Sequence, residues 1–145
     1  MTVAAGRNRA RVLAAAAAAV SVVACVDRLP AQDLRILSAV PIERLSVSLL
    51  WDDYQKDSAA TGRKYRAQAV VVTGTPPITP GSGAGGHFLR FELGKPRDGA
   101  VQAYLLDEQA DALSTSAKGA ERVSLKCFVE GPEGRDIVLR SCVAP

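Results

Sequence analysis

The chain has 145 residues, 18 Lys plus Arg against 15 Asp plus Glu for a formal charge of +3, one His and three Cys. Three of the cations, Arg7, Arg9 and Arg11, stand ahead of every acidic residue, and without them the balance is 15 against 15. That leaves little of the clustered positive charge on which counterion-driven nucleic-acid binding depends, and a single histidine leaves little scope for a Ser/His/Asp or Cys/His catalytic group.

In chain order, the three arginines lead into a small-apolar run from Val12 to Ala24 that ends in Val22-Val23-Ala24-Cys25. A basic stretch, an apolar stretch and a small-residue processing site predict an export signal over residues 1–24; the run is shorter than the roughly 20 residues that span a bilayer. The Cys25 end resembles a lipoprotein signal, which implies that Cys25 is lipidated and becomes the first residue of the mature chain. Stable anchoring then takes more than one acyl chain. Val26, by resemblance to lipoprotein sorting in enteric bacteria, carries no inner-membrane retention signal, which implies outer-membrane attachment on the periplasmic side. Ordinary cleavage near Ala24 or Ala31, releasing a soluble periplasmic protein, fits the same residues.

From Cys25 onward 121 residues remain, enough for one domain with one core. Residues 25–42 have mixed composition, with Pro30 and Pro41 around Leu34, Ile36, Leu37 and Val40, and read as a spacer that packs in part on the domain. The domain itself is placed at 43–145. From Glu43 the periodicity predicts a helix whose face carries Val47, Leu50, Tyr54 and Thr61 and which Gly62 stops. Residues 68–73, rich in β-branched side chains, predict a strand closed by Gly74. Thr75 to Gly86, with three prolines and four glycines, predicts a loop.

Phe88 to Leu93 alternates and predicts a half-buried strand; a turn at Asp98-Gly99 leads to a third strand, Ala100 to Leu106. Asp107 is the expected N-cap of a helix with Ala110, Leu113 and Ala117 on one face and Gly119 at its C-terminal cap. Arg122 to Val129, a turn over Gly131 to Gly134, and Ile137 to Val143 complete the pattern. In an oxidising compartment Cys127 and Cys142 are expected to form a disulfide. Cys127 alternates with inward residues while Cys142 alternates with Arg140, so a β-bulge is expected to bring the two side chains together.

Three strands, a helix and two more strands is the order of the OB-fold, a five-stranded, partly open barrel. The expected architecture is therefore mainly β with helices: a β-β-β-α-β-β barrel preceded by an N-terminal helix. Tyr54, Asp57 and Thr61, Lys64-Tyr65-Arg66, Val70-Val71-Val72-Thr73-Gly74, Val101-Gln102-Ala103-Tyr104, Lys118-Gly119 and Leu139-Arg140-Ser141-Cys142-Val143 together resemble the exported bacterial OB-fold proteins of the tRNA-anticodon-binding-like (tRNA_anti-like) family. The likeness runs from about Ser46 to Val143. Asp57, Thr61, Ala67 and Ala103 depart from the family pattern, and the family name implies fold similarity without implying tRNA binding.

Other constellations carry less chemistry. Gly81-Ser82-Gly83-Ala84-Gly85-Gly86 matches G-x-G-x-x-G but opens a strand, whereas pyrophosphate binding needs it to open a helix; His87-Phe88 stands where a P-loop needs Lys-Ser/Thr. His87 with Cys127 and Cys142 would make a zinc set only if both cysteines stayed reduced. Asp52-Asp53 and Asp107-Glu108 read as solvated helix positions. No catalytic residue, metal site or cofactor is expected. The one expected recognition surface is the barrel face, with Phe88, Arg90, Gln102, Tyr104 and Lys126, and Phe128 beside them. Aromatics among cations can stack bases, or they can pack beneath the first helix, the simpler expectation. The functional expectation is a non-catalytic, exported and lipid-anchored binding module for an envelope protein or small ligand, with nucleic acid disfavoured. A single-stranded nucleic-acid or oligosaccharide binder is the alternative, and an enzyme the third.

Overall fold

The computed structural model describes residues 32–95 and 97–145; the signal segment, the lipidation position Cys25 and the spacer as far as Ala31 lie outside the described residues. The domain begins with a short strand, β1 (Glu43–Ser46), followed by α1 (Val47–Lys56) and α2 (Ser58–Tyr65). Two side-chain caps make this break. The Leu49 N–H donates to the Ser46 hydroxyl at 3.1 Å to start α1, and the Ala60 N–H donates to the Asp57 carboxylate at 2.9 Å to start α2. The single helix expected from Glu43 to Gly62 is thus corrected: Glu43–Ser46 extends because it pairs in parallel with the next strand, Asp57 interrupts the helix with extended backbone, and Gly62 stays helical.

The face expected for this helix is the buried one. Val47, Leu50, Tyr54 and Thr61 are all under a tenth exposed, and Tyr65 joins them. Within this layer the Tyr54 hydroxyl is fully buried and has no hydrogen-bond partner among the described residues, and burial pushes its pKa up to about 12. A buried hydroxyl without a partner costs its desolvation. Tyr54→Phe is therefore expected to stabilise the domain by about 1 kcal/mol, read as a raised denaturation midpoint at unchanged slope; a lowered midpoint would mean that the hydroxyl is satisfied in solution.

The remaining elements are β2 (Ala69–Gly74), β3 (Ile78–Gly83), β4 (Gly86–Leu93), β5 (Gly99–Leu105), α3 (Asp107–Ala117), β6 (Val123–Glu133) and β7 (Asp136–Val143). Seven strands among the described residues form one mixed sheet in the order β1-β2-β6-β7-β5-β4-β3, with β1·β2 and β5·β7 parallel and the other pairs antiparallel. Among the described residues the fold is mainly β with three α-helices, and the expected five-stranded, partly open barrel is corrected to an open seven-stranded sheet. One extra strand is β1. The other is β3, within the stretch expected to be a loop: Ile78–Gly83 pairs residue by residue with β4, ending in a tight turn at Gly83↔Gly86.

The connection between β2 and β3 dictates the shape of the sheet. These strands stand second and seventh in the order, which in a flat sheet is five spacings of about 4.8 Å. Only Thr75, Pro76 and Pro77 join them, a link that reaches at most about 15 Å from Gly74 to Ile78. The sheet must therefore curl until β2 lies over β4. Phe91 of β4 accordingly packs on Gly74 of β2, and the Glu92 N–H donates to the Pro77 carbonyl at 3.1 Å. Val70, Val72, Leu89, Phe91, Val101, Leu125, Val129, Ile137 and Leu139 fill the inside of this curl together with α1 and α3.

Cys127 and Cys142 are joined in a disulfide inside that core. The expected bulge is present: Lys126 pairs with Val143 and Phe128 with Arg140, so Ser141 and Cys142 together oppose Cys127. Ser141 takes the extra residue in left-handed backbone, φ +53°. Elsewhere one cap differs from expectation. Leu106, not Asp107, is the N-cap of α3, and the Asp107 N–H donates to the Gln32 side chain at 2.8 Å. The turn between β6 and β7 falls at Gly134, at the end of the expected stretch, and Gly131 remains in β6 as a second irregularity of the ladder.

The spacer packs on the domain from Gln32 onward. A 3-10 turn, Leu34–Leu37, places Ile36 in a second small cluster with Ala69, Leu106, Phe128 and Val143 on the outer side of the sheet. The Asp33 N–H donates to the Ser141 hydroxyl at 2.8 Å, which ties the bulge to the spacer.

Candidate ligand-binding face

Four of the five residues expected on the recognition face come together. Antiparallel pairing sets Phe88 opposite Tyr104 and Arg90 opposite Gln102, all with side chains alternating away from core residues Leu89, Phe91, Val101 and Ala103. Lys126 does not join them. Its ammonium donates to the Leu37 and Ala39 carbonyls, at 3.4 and 3.1 Å, and clamps the spacer. Phe128, 8% exposed in the outer cluster with Ile36, is likewise structural.

The aromatic pair is edge-to-face, with ring centroids 5.7 Å apart. Its cover comes from the glycine-rich hairpin. A Cβ at Gly81 would stand 2.5 Å from the tip of the Phe88 ring, and one at Gly85 2.7 Å from Tyr104 Cε1, so the rings lie directly on backbone that only glycine allows to approach. The first helix, expected to supply this cover, instead meets β5 at its start, where the Trp51 indole lies on Gly99 and donates to the Arg135 carbonyl.

Between the rings and β7 lies a continuous polar network. Arg90 donates to Asp136 at 2.6 Å, to Gln102 at 3.0 Å and to Glu92 at 2.8 Å; Gln102 donates to the Tyr104 hydroxyl at 2.8 Å. Its bond to Asp136 is the main reason that the Arg90 guanidinium is held even more firmly protonated than usual. Asp136 also accepts from the Ala100 N–H. Arg140 places its guanidinium 4.8 Å from the Tyr104 centroid and pairs with Glu130. Gln102, Tyr104, Glu133, Asp136 and Val138 line a shallow recess of about 110 Å³.

Each arginine on this face is thus matched by carboxylates. The arrangement offers an array of donors and acceptors beside half-buried aromatic edges, with little net positive charge. The sequence reading missed Asp136, Val138 and Arg140, although their alternation along the last strand was visible; what it lacked was the parallel pairing that sets Gln102 beside Val138.

The other sequence candidates stay apart. His87 is exposed opposite Ser82. Asp52 forms an ion pair with Arg97 at 2.9 Å, and that bond holds its carboxyl below the usual range. No group of three or more potential metal ligands occurs among the described residues. A larger groove of about 550 Å³ runs between Ser46, Thr73–Pro77, Glu92, Arg97 and Arg122. No helix among the described residues is long and apolar enough to cross a membrane. No protein-family model matches the sequence, and no curated protein matches it. Among solved structures the chain is similar in fold to a putative nucleic acid-binding lipoprotein from Klebsiella pneumoniae, with a TM-score of 0.53 and 14% identity over 78% of this chain and 97% of that one.

Proposed function

We propose that the protein is an exported, lipid-anchored binding module of OB type, non-catalytic, that engages an envelope protein or small polar ligand through the β4–β5 face. The connectivity supports the OB reading. β2 and β3 occupy the place of one first strand broken at Thr75–Pro77, the first half pairing with β6 and the second with β4; β5 then leads through α3 to β6 and β7, and β7 returns parallel to β5. With β1 set aside, the order is β-β-β-α-β-β. The observation that carries the binding role is the position of the Phe88, Arg90, Gln102 and Tyr104 face between the β3–β4 and β6–β7 hairpins, since OB-folds bind ligands on the equivalent strands and loops.

The name of the Klebsiella neighbour supports two further elements, a lipoprotein and a nucleic-acid ligand. The first agrees with acylation at Cys25 and a periplasm-facing place at the outer membrane. The second is the alternative reading, against which the paired arginines count. Single-stranded DNA and RNA at physiological salt are expected to give no complex tighter than about micromolar, because few unpaired cations on this face can release counterions. A sub-micromolar, salt-sensitive complex lost in Arg90→Ala or Tyr104→Ala would promote nucleic acid to the ligand. For the anchor, wild-type protein is expected to incorporate labelled fatty acid and Cys25→Ser to incorporate none; unlabelled wild type would remove this part of the proposal.

A further inference from the structure

Among the described residues, five large hydrophobic side chains are exposed: Leu34 (56%), Leu37 (49%), Val40 (82%), Ile42 (52%) and Leu49. Four of the five fall within nine residues of the packed spacer. Single exposed apolar residues are ordinary, but this concentration in one short segment is not explained by the domain's own packing, which that segment meets through Ile36. The local geometry separates the two roles. In a 3-10 turn residues three apart eclipse, so Leu34 and Leu37 share a side while Ile36 points into the outer cluster. The segment cannot swing freely to hide them, since Gln32, Asp33, Leu37 and Ala39 are all hydrogen-bonded to the domain.

What lies next to this strip follows from chain length. Eight residues separate Cys25 from Leu34, a reach of at most about 32 Å, so a domain acylated at Cys25 holds the strip close to the bilayer. We infer that Leu34, Leu37, Val40 and Ile42 form a second membrane contact that rests on the lipid surface and fixes how the domain faces it; this inference rests on the proposed acylation of Cys25. Acyl chains resist extraction but do not orient what they carry, and apolar side chains entering the headgroup boundary supply the orientation. The start of β4 lies beside the spacer, since a Cβ at Gly86 would lie 4.0 Å from the Gln32 side chain.

The test uses full-length protein purified from bacterial membranes and reconstituted on phosphatidylethanolamine/phosphatidylglycerol vesicles, with and without brominated acyl chains. Trp51 is the native single tryptophan and gives the background. Leu37→Trp is expected to add blue-shifted emission that brominated lipid quenches at least twofold more than that of Glu121→Trp, a substitution at an exposed position away from the strip. Vesicle-bound protein whose Leu37→Trp emission is quenched no more than that of Glu121→Trp would leave the anchor standing and overturn the contact. Protein that fails to float with vesicles and carries no acyl mass would overturn the anchor and the contact together. A concentration-dependent dimer in detergent, abolished by Leu34→Ser/Leu37→Ser, would assign the strip to a second copy of the chain and overturn the membrane contact.

Discussion

Reduction of the Cys127–Cys142 bond is expected to lower the unfolding free energy by about 3 kcal/mol, the loop-closure estimate for a separation of 15 residues. Both sulfurs are fully buried, and the bond closes the β6–β7 hairpin at the end remote from its turn. In the unfolded chain it forbids the separation of two segments that the native sheet holds together. Guanidinium unfolding with and without reductant should therefore show a lower midpoint in the reduced protein, together with a somewhat steeper slope as the released chain expands. Cys127→Ala/Cys142→Ala should lose more than reduction does, because it also removes buried atoms from the core. Equal midpoints before and after reduction would mean that the bond contributes nothing.

That bond also shows what a sequence can disclose and where it stops. The conflict between the phases of Cys127 and Cys142 was legible in the alternation of their neighbours, and the bulge it demanded is found at Ser141. Strands with a period, such as Phe88 to Leu93, were legible for the same reason: one face meets the core, so the side chains alternate. β3 was not legible, because its Ile-Thr-Pro-Gly-Ser-Gly sequence has no apolar alternation. It extends by pairing with β4, and the Phe88 ring lies on its Gly81 while the Tyr104 ring lies on Gly85 in the turn that follows. The expected helix start at Glu43 failed similarly, since pairing with Ala69–Gly74 outweighed local propensity over four residues. On the candidate face, the antiparallel neighbours Phe88, Arg90, Gln102 and Tyr104 could be assembled from consecutive strands, whereas Asp136 and Arg140 arrive through the long-range parallel pair of β5 with β7. Lys126 was misplaced because alternation gives the face of a strand but not what lies across it, here the spacer carbonyls.

The closest approach in the curled sheet makes the second large effect. A Cβ at Gly74 would stand 2.2 Å from Phe91 Cδ1 and 2.5 Å from Cε1, and Phe91 is fully buried among core residues, so the ring has no free space into which to retreat. Gly74→Ala is expected to cost about 2 to 3 kcal/mol through overpacking, and Phe91→Ala about 4 kcal/mol through the lost ring and the cavity it leaves. The two losses should not add. With the ring gone, the methyl at position 74 enters part of the vacated volume, so Gly74→Ala in the Phe91→Ala background should cost little, giving a coupling of about 2 kcal/mol in a double-mutant cycle. Denaturation midpoints of the four proteins at equal slopes measure it. Additive losses would show that Gly74 and Phe91 do not touch in solution, and would remove the side-chain contact that accompanies the curl dictated by the short β2–β3 link.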